Sequence, residues 1–113
     1  MKDCIFCKIV KGEVPSKKVL ENEKVIAFKN IHPVAEVHLL IMPKEHIESI
    51  MHIQNSDFFG ELVMAAKELI KKNNIENGYK LMFNGGKYQA IPHLHWHLLG
   101  GKLEDESDIL NQT

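Results

Sequence analysis

The chain has 113 residues, 44% of them hydrophobic, and 14 basic against 15 acidic side chains give a formal charge of −1. That length supports one core and not two, so a single domain is expected, and the limited burial open to so small a domain favours pairing through an apolar face, most simply as a homodimer. Balanced charge without a dense Lys/Arg run argues against a nucleic-acid polymer as partner. No apolar stretch reaches the length of a signal peptide or a membrane span, so a cytoplasmic protein with no membrane partner is expected.

Near the start, Cys4-Ile5-Phe6-Cys7 holds both cysteines of the chain. A reducing compartment argues against a disulfide, and no thioredoxin-like context supports a redox pair. Half of a metal site and two packed cysteines both stay open. Next come 17–22 and 24–29, short segments that mix β-branched and polar residues around an Asn22-Glu23 break, and they predict a hairpin. After a loop over 30–36, the run 37–42 predicts a third strand closed by Pro43, with His38 inside an otherwise apolar stretch. A helical turn is expected over 45–50.

From Ser56 the period changes. Ser56 suits an N-cap and Asp57 a first turn, and Phe59, Leu62, Val63, Ala66, Leu69 and Ile70 recur at helical spacing, which predicts the one long helix. Gly60 inside it costs about 1 kcal/mol relative to alanine and suggests close approach by another backbone, such as a partner subunit's. Lys71 and Lys72 suit the helix end, and Asn73 or Asn74 can terminate it. Asn77-Gly78 predicts a turn, 79–84 a strand, and Gly85-Gly86 the start of a loop running to Pro92. The last strand is expected over 93–99. Beyond Gly100-Gly101 the mostly polar, acidic segment 102–113 lacks periodicity and reads as a tail on a domain spanning 1–101.

The chemistry concentrates in the last predicted strand. In His93-Leu94-His95-Trp96-His97-Leu98-Leu99, alternation sends three imidazoles to one face and Leu94, Trp96 and Leu98 to the other, which is the expected core face. Successive imidazoles would lie roughly 7 Å apart, a spacing for neighbouring tasks on one substrate or metal. A solvent-facing strand that happens to use histidine is the plainest alternative. Ligation of one metal by two of these histidines, with His38 as a third, is the sharper one. His32 and His52 receive no role.

The segment His93 to Leu99 resembles the His-x-His-x-His-x-x signature of the histidine triad (HIT) family. The likeness extends to Cys4-Ile5-Phe6-Cys7-Lys8-Ile9, to Val37 through Ile47, and to Leu98-Leu99-Gly100-Gly101, in an order similar to the HINT-like branch of small purine nucleoside phosphoramidases. It implies an α+β fold, a five-stranded antiparallel sheet with one long helix, paired into a dimer with a ten-stranded sheet. The strands and helix read from the residues agree with that plan.

The resemblance also implies an activity: hydrolysis of purine nucleoside 5′-phosphoramidates, adenosine preferred, through a nucleotidyl intermediate on His95. Imidazole suits the task because its neutral form is abundant near pH 7, and attack by Nε2 requires the proton on Nδ1, which the family secures with the carbonyl of the first histidine. His97 and His38 are then expected to contact the phosphate, and Asn84 and Gln89 to orient it and the leaving group. Ribose recognition falls on Asn30-Ile31, where relatives carry an acidic residue followed by Ile. An amide can still bond a ribose hydroxyl, but without charge assistance. Ala90 stands where relatives often carry Ser or Thr, so only its backbone N–H remains for phosphate or leaving group, and slower turnover is expected. Several bacterial relatives bind zinc through positions matched here by Cys4, Cys7, His46 and His93, which implies a closed, structural Cys₂His₂ site. Two other functions stay open: a dinucleoside polyphosphate hydrolase, and a weakly active regulator that binds nucleotide or zinc.

Overall fold

The computed structural model describes residues 4–55 and 57–103. Its order is α1 (Ile5–Val10), β1 (Lys18–Glu21), β2 (Val25–Lys29), β3 (Ala35–Pro43), α2 (Phe59–Lys72), β4 (Tyr79–Met82) and β5 (Trp96–Leu103). The five strands form one antiparallel sheet in the order β1-β2-β3-β5-β4. Among the described residues no helix is long and apolar enough to cross a membrane.

The predicted hairpin is present as β1 and β2, and its break is an Asx turn in which Asn22 Oδ1 accepts the backbone N–H groups of Lys24 at 2.8 Å and Val25 at 2.9 Å. Val25, Ile26, Ala27 and Phe28 are all buried, which a strand needs when both faces of its sheet are covered. Their alternation divides them. Val25 and Ala27 join Leu39, Ile41, Trp96 and Leu98 in a core against Leu62, Ala65, Ala66 and Leu69 of α2. Ile26 and Phe28 join Leu40 and Met42 against Cys4, Phe6, Cys7 and Ile9 of the N-terminal segment.

That second cover comes from α1, an element the sequence reading does not contain. Cys4 caps it, its Sγ accepting the Cys7 N–H at 3.3 Å. The triad face of the sheet is therefore not open to solvent: it is a second, smaller core.

Other boundaries move. β3 starts at Ala35 rather than 37, and its register shifts between Ala35 and Val37. The expected turn over 45–50 is absent; a 3₁₀ turn instead occupies Ile50–His52, capped by Ser49, and a second one, not foreseen, occupies Gly86–Tyr88. The long helix is present but begins at Phe59 with Phe58 at its N-cap and no side-chain cap, so Asp57 precedes the helix and Glu61 supplies the first-turn charge. The Ser56 cap lies outside the described residues. Asn73 ends α2, its Nδ2 donating to the Leu69 carbonyl at 2.8 Å, and Asn74 adopts φ +56°, as expected of an αL terminator. At Gly60 an added Cβ would meet nothing within 4 Å among the described residues, so none of their backbone needs that glycine.

The last strand starts three residues later than expected and continues to Leu103, two residues past the boundary drawn at 101. His93 and His95 thus precede the ladder, and the Leu94 N–H is held by the Ile47 carbonyl at 2.6 Å. The remainder of the tail, from 104 onward, lies outside the described residues.

Candidate active site and metal centre

His38 on β3 and His97 on β5 sit diagonally across one strand pair, with His38 opposite Leu99 and Leu40 opposite His97. Both project onto the α1 side of the sheet, and their rings meet with His38 Nε2 2.9 Å from His97 Nδ1. The Val34 N–H donates to His38 Nδ1 at 3.1 Å, so the ring proton of His38 belongs on Nε2 and is donated to His97 Nδ1. His97 must then carry its own proton on Nε2, a buried donor with no partner among the described residues. Burial pushes His38 down to about 4 and, with His95 and His38 beside it, His97 down to about 3, so both rings are neutral at pH 7.

His95 lies next to this pair, its ring centroid 5.2 Å from that of His97, closer than the roughly 7 Å of a regular strand alternation. Its Nδ1 is 2.6 Å from the His93 carbonyl. A carbonyl only accepts, so Nδ1 carries the proton and Nε2 the lone pair, the tautomer a nitrogen nucleophile needs. Phe6 of α1 packs edge-on against the rings of His95, at 4.9 Å, and His93, at 6.0 Å. His95 is consequently only 3% exposed, where the alternation of the sequence placed it on an open polar face. A reactant reaches its ring only if a neighbour moves.

His93 faces the other way. Its Nε2–H donates to the Pro43 carbonyl at 2.9 Å, which turns the Nδ1 lone pair toward Cys4 Sγ at 3.5 Å and Cys7 Sγ at 3.6 Å. His46 Nδ1 completes the group, 3.1 Å from Cys7 Sγ. The four donor atoms lie within 4.8 Å of one another, and among the described residues this is the group of side chains arranged to hold a metal ion. The alternative of an ion shared by triad histidines and His38 finds no such grouping. Burial, with Cys4 alongside, pushes the Cys7 thiol up to about 11, so a thiolate there requires a cation to balance it.

The remaining candidates fall around the site unevenly. Asn30 is half-buried and touches it, Nδ2 lying 3.2 Å from His38 Nε2 while Oδ1 accepts the His32 N–H at 2.9 Å. Ile31 is 85% exposed. Together with Pro15, Ser16, Lys17 and Lys29 they line a cavity of about 520 Å³. Gln89 does not point at the triad: its Nε2 donates to the carbonyls of Glu48 at 2.6 Å and Ile91 at 2.9 Å, so it braces the loop before the histidines. Ala90 is exposed, and Asn84 half-buried just past the end of β4. Of the two unassigned histidines, His52 pairs at the surface with Glu48 at 3.3 Å. Phe6, Val34 and Pro43 were missed by sequence reasoning. Phe6 had a signal, its place between the two cysteines; the other two act through backbone atoms and had none.

A family model described as HIT domain matches residues 11–104. The chain is 39% identical over 110 residues to the adenosine 5′-monophosphoramidase HNT1 of Candida albicans, covering 89% of this chain and 72% of the relative. It is 39% identical over 104 residues to a 14 kDa zinc-binding protein of Zea mays, covering 87% and 81%. Its structure is similar to that of a HIT family hydrolase from Clostridium thermocellum, with a TM-score of 0.85 and 44% identity over 89% of this chain and 92% of the other.

Proposed function

The chain belongs to the HIT domain family, and from that premise we propose that it is a nucleotidyl hydrolase of the HINT-like branch, cleaving purine nucleoside 5′-phosphoramidates with adenosine preferred. The observation that carries the reading is the tautomer of His95: Nδ1–H donated to the His93 carbonyl at 2.6 Å leaves Nε2 as the nucleophile. In the first step Nε2 bonds to the α-phosphorus as the phosphorus–nitrogen bond breaks, and the amine takes up a proton from solvent as it leaves. In the second, water adds to phosphorus and gives up a proton to solvent, the bond to Nε2 breaks, and the nucleoside monophosphate departs. His97 Nε2–H, a buried donor without a partner among the described residues, is suited to an equatorial phosphate oxygen, and His38 holds it in that role. Asn84 and the backbone N–H of Ala90 are assigned to the phosphate or leaving group, and Gln89 to support of their loop. The nucleoside is assigned to the cavity walled by Asn30 and Ile31, because Asn30 also touches the histidine pair.

The Cys₂His₂ group is assigned to zinc, to be held by Cys4, Cys7, His46 and His93. For tetrahedral zinc with the usual sulfur and nitrogen bond lengths, sulfur and nitrogen ligands lie about 3.6 Å apart; the separations from His93 are 3.5 and 3.6 Å. Four protein ligands leave no open position, so the metal would stabilise thiolates and tie α1 to the sheet rather than act on substrate. A second copy of the chain is assigned to the exposed face of α2 and β4.

Mixing the protein with adenosine 5′-phosphoramidate and reading intact mass tests the activity. A nucleotidyl adduct localised to His95, lost in His95→Ala together with all turnover, is expected. Intact substrate and unmodified protein would refute the enzyme and leave a binding protein.

A further inference from the structure

His93 is the one residue that belongs to both groups of side chains described above. Its ring Nδ1 faces Cys4 and Cys7 at 3.5 and 3.6 Å, and its carbonyl accepts the His95 Nδ1 proton at 2.6 Å. Phe6, which lies between the same two cysteines, packs edge-on against the His95 ring at 4.9 Å. Two of the contacts that orient His95, beside the packing of its ring on His97, therefore come from chain segments that carry the Cys₂His₂ group. The His93 ring is further held by Nε2–H donated to the Pro43 carbonyl and by edge-on packing against Phe6 and His46, side chains that lie between or belong to the members of the Cys₂His₂ group. His93 also lies outside the strand ladder, which begins at Trp96, so no sheet hydrogen bonds hold its backbone; its N–H is bonded locally, to the Ile91 carbonyl at 2.8 Å.

We propose that His93 is a positioning residue through which the Cys4–Cys7–His46–His93 centre sets the tautomer and aim of His95, so that loading of that centre governs the rate of nucleotidyl transfer. The proposal rests on the hydrolase and zinc assignments above. Its physical content is that a ligand bond at His93 Nδ1 immobilises the residue whose carbonyl selects Nδ1–H over Nε2–H on the nucleophile. When the centre is empty, the carbonyl is freer to turn, the two tautomers of His95 approach each other in energy, and the reactive fraction falls. Substrate binding, which uses other groups, is spared.

The test combines kinetics with a readout that needs no substrate. Protein labelled with ¹⁵N in its histidines is prepared zinc-loaded, stripped with chelator, and reloaded. Loaded protein is expected to show one His95 tautomer, protonated at Nδ1. Stripped protein is expected to show exchange-averaged His95 nitrogens and a kcat lower by at least about tenfold, with KM for adenosine 5′-phosphoramidate little changed, and reloading restores both. A folded, stripped protein that keeps the Nδ1–H tautomer and its kcat overturns the proposal, as does a chain that takes up no zinc. If stripping unfolds the chain, cadmium replaces zinc: its longer bonds to sulfur are expected to shift the His95 nitrogen resonances and lower kcat, and a cadmium form identical to the zinc form in both respects overturns the proposal. Loaded protein that never turns over fails the hydrolase reading and with it the rate part of the proposal, whereas the positioning of His95 is decided separately by the tautomer comparison, which is made without substrate.

Discussion

The Val34 N–H occupies His38 Nδ1, so the proton on Nε2 points at two groups, His97 Nδ1 at 2.9 Å and Asn30 Nδ2 at 3.2 Å. The first is an acceptor. The second is an amide nitrogen, because Asn30 Oδ1 is already used by the His32 N–H, and turning the amide over only moves the donor–donor conflict to His32. A carboxylate would accept both protons. Asn30→Asp is therefore expected to raise His38 from about 4, because an adjacent negative charge favours imidazolium; an NMR titration of His38 that does not move would remove this reading. The neutral histidines also set an acid limit. His38 and His97 titrate near 4 and 3 in the folded protein and near 6.5 when unfolded, so below pH 6.5 the unfolded chain binds protons that the folded one refuses. Their contribution to stability is complete above pH 6.5 and is lost as pH falls toward 4. Thermal midpoints measured from pH 7.5 to 5 should decline, and His38→Gln should flatten the slope; a flat profile in the parent protein would contradict it. The residue types at this site were legible in the sequence as His38, His95 and His97. Of their protons only that of His95 was implied, by the family resemblance; those of His38 and His97 were not, because folding brings the Val34 N–H to His38 and His38 in turn to His97.

Among the elements, β5 carries the most chemistry and has the least forgiving backbone. A Cβ at Gly100 would collide with the side chain of Ile75, which follows α2, and Gly101 adopts φ +71° beside Glu36 where β3 shifts register. The glycine pair thus brings the end of α2 onto the strand and forms the bend where β3 and β5 slip. Gly100→Ala should destabilise the protein by about 1–3 kcal/mol in denaturant unfolding, and adding Ile75→Ala should recover part of that loss, since the collision is with that side chain. If the double variant is no better than the sum of the two single ones, steric crowding is not the cause. The periods of two and 3.6 residues located all five strands and α2 to within a few residues. They missed α1, whose single amphipathic turn and a half is too short for periodicity to register and whose cap is a cysteine.

At the scale of the whole molecule, α2 and β4 leave apolar side chains uncovered. Val63 is 52% exposed, Met64 62%, Tyr79 50% and Leu81 39%, and Val63, Tyr79 and Leu81 line a cavity of about 340 Å³ between the helix and β4, which is an open edge of the sheet. A sheet edge beside an apolar helix face suits a second copy of the same surface. Val63→Glu with Tyr79→Glu is expected to convert a dimer to a monomer in sedimentation velocity with the fold retained; a parent chain that sediments as a monomer would end the assignment. Composition, periodicity and the spacing of Cys4, Cys7, His38, His46, His93, His95 and His97, with the family likeness they carry, determined the class of fold and marked the side chains to which chemistry is assigned, because those properties depend on residue type and near neighbours along the chain. Tertiary structure alone decided that the triad face is a buried second core, that the Val34 N–H and His38 fix the proton of His97, and that Gln89 braces a loop. Each of those outcomes depends on groups far apart in sequence meeting within hydrogen-bond distance, and no local pattern encodes such a meeting.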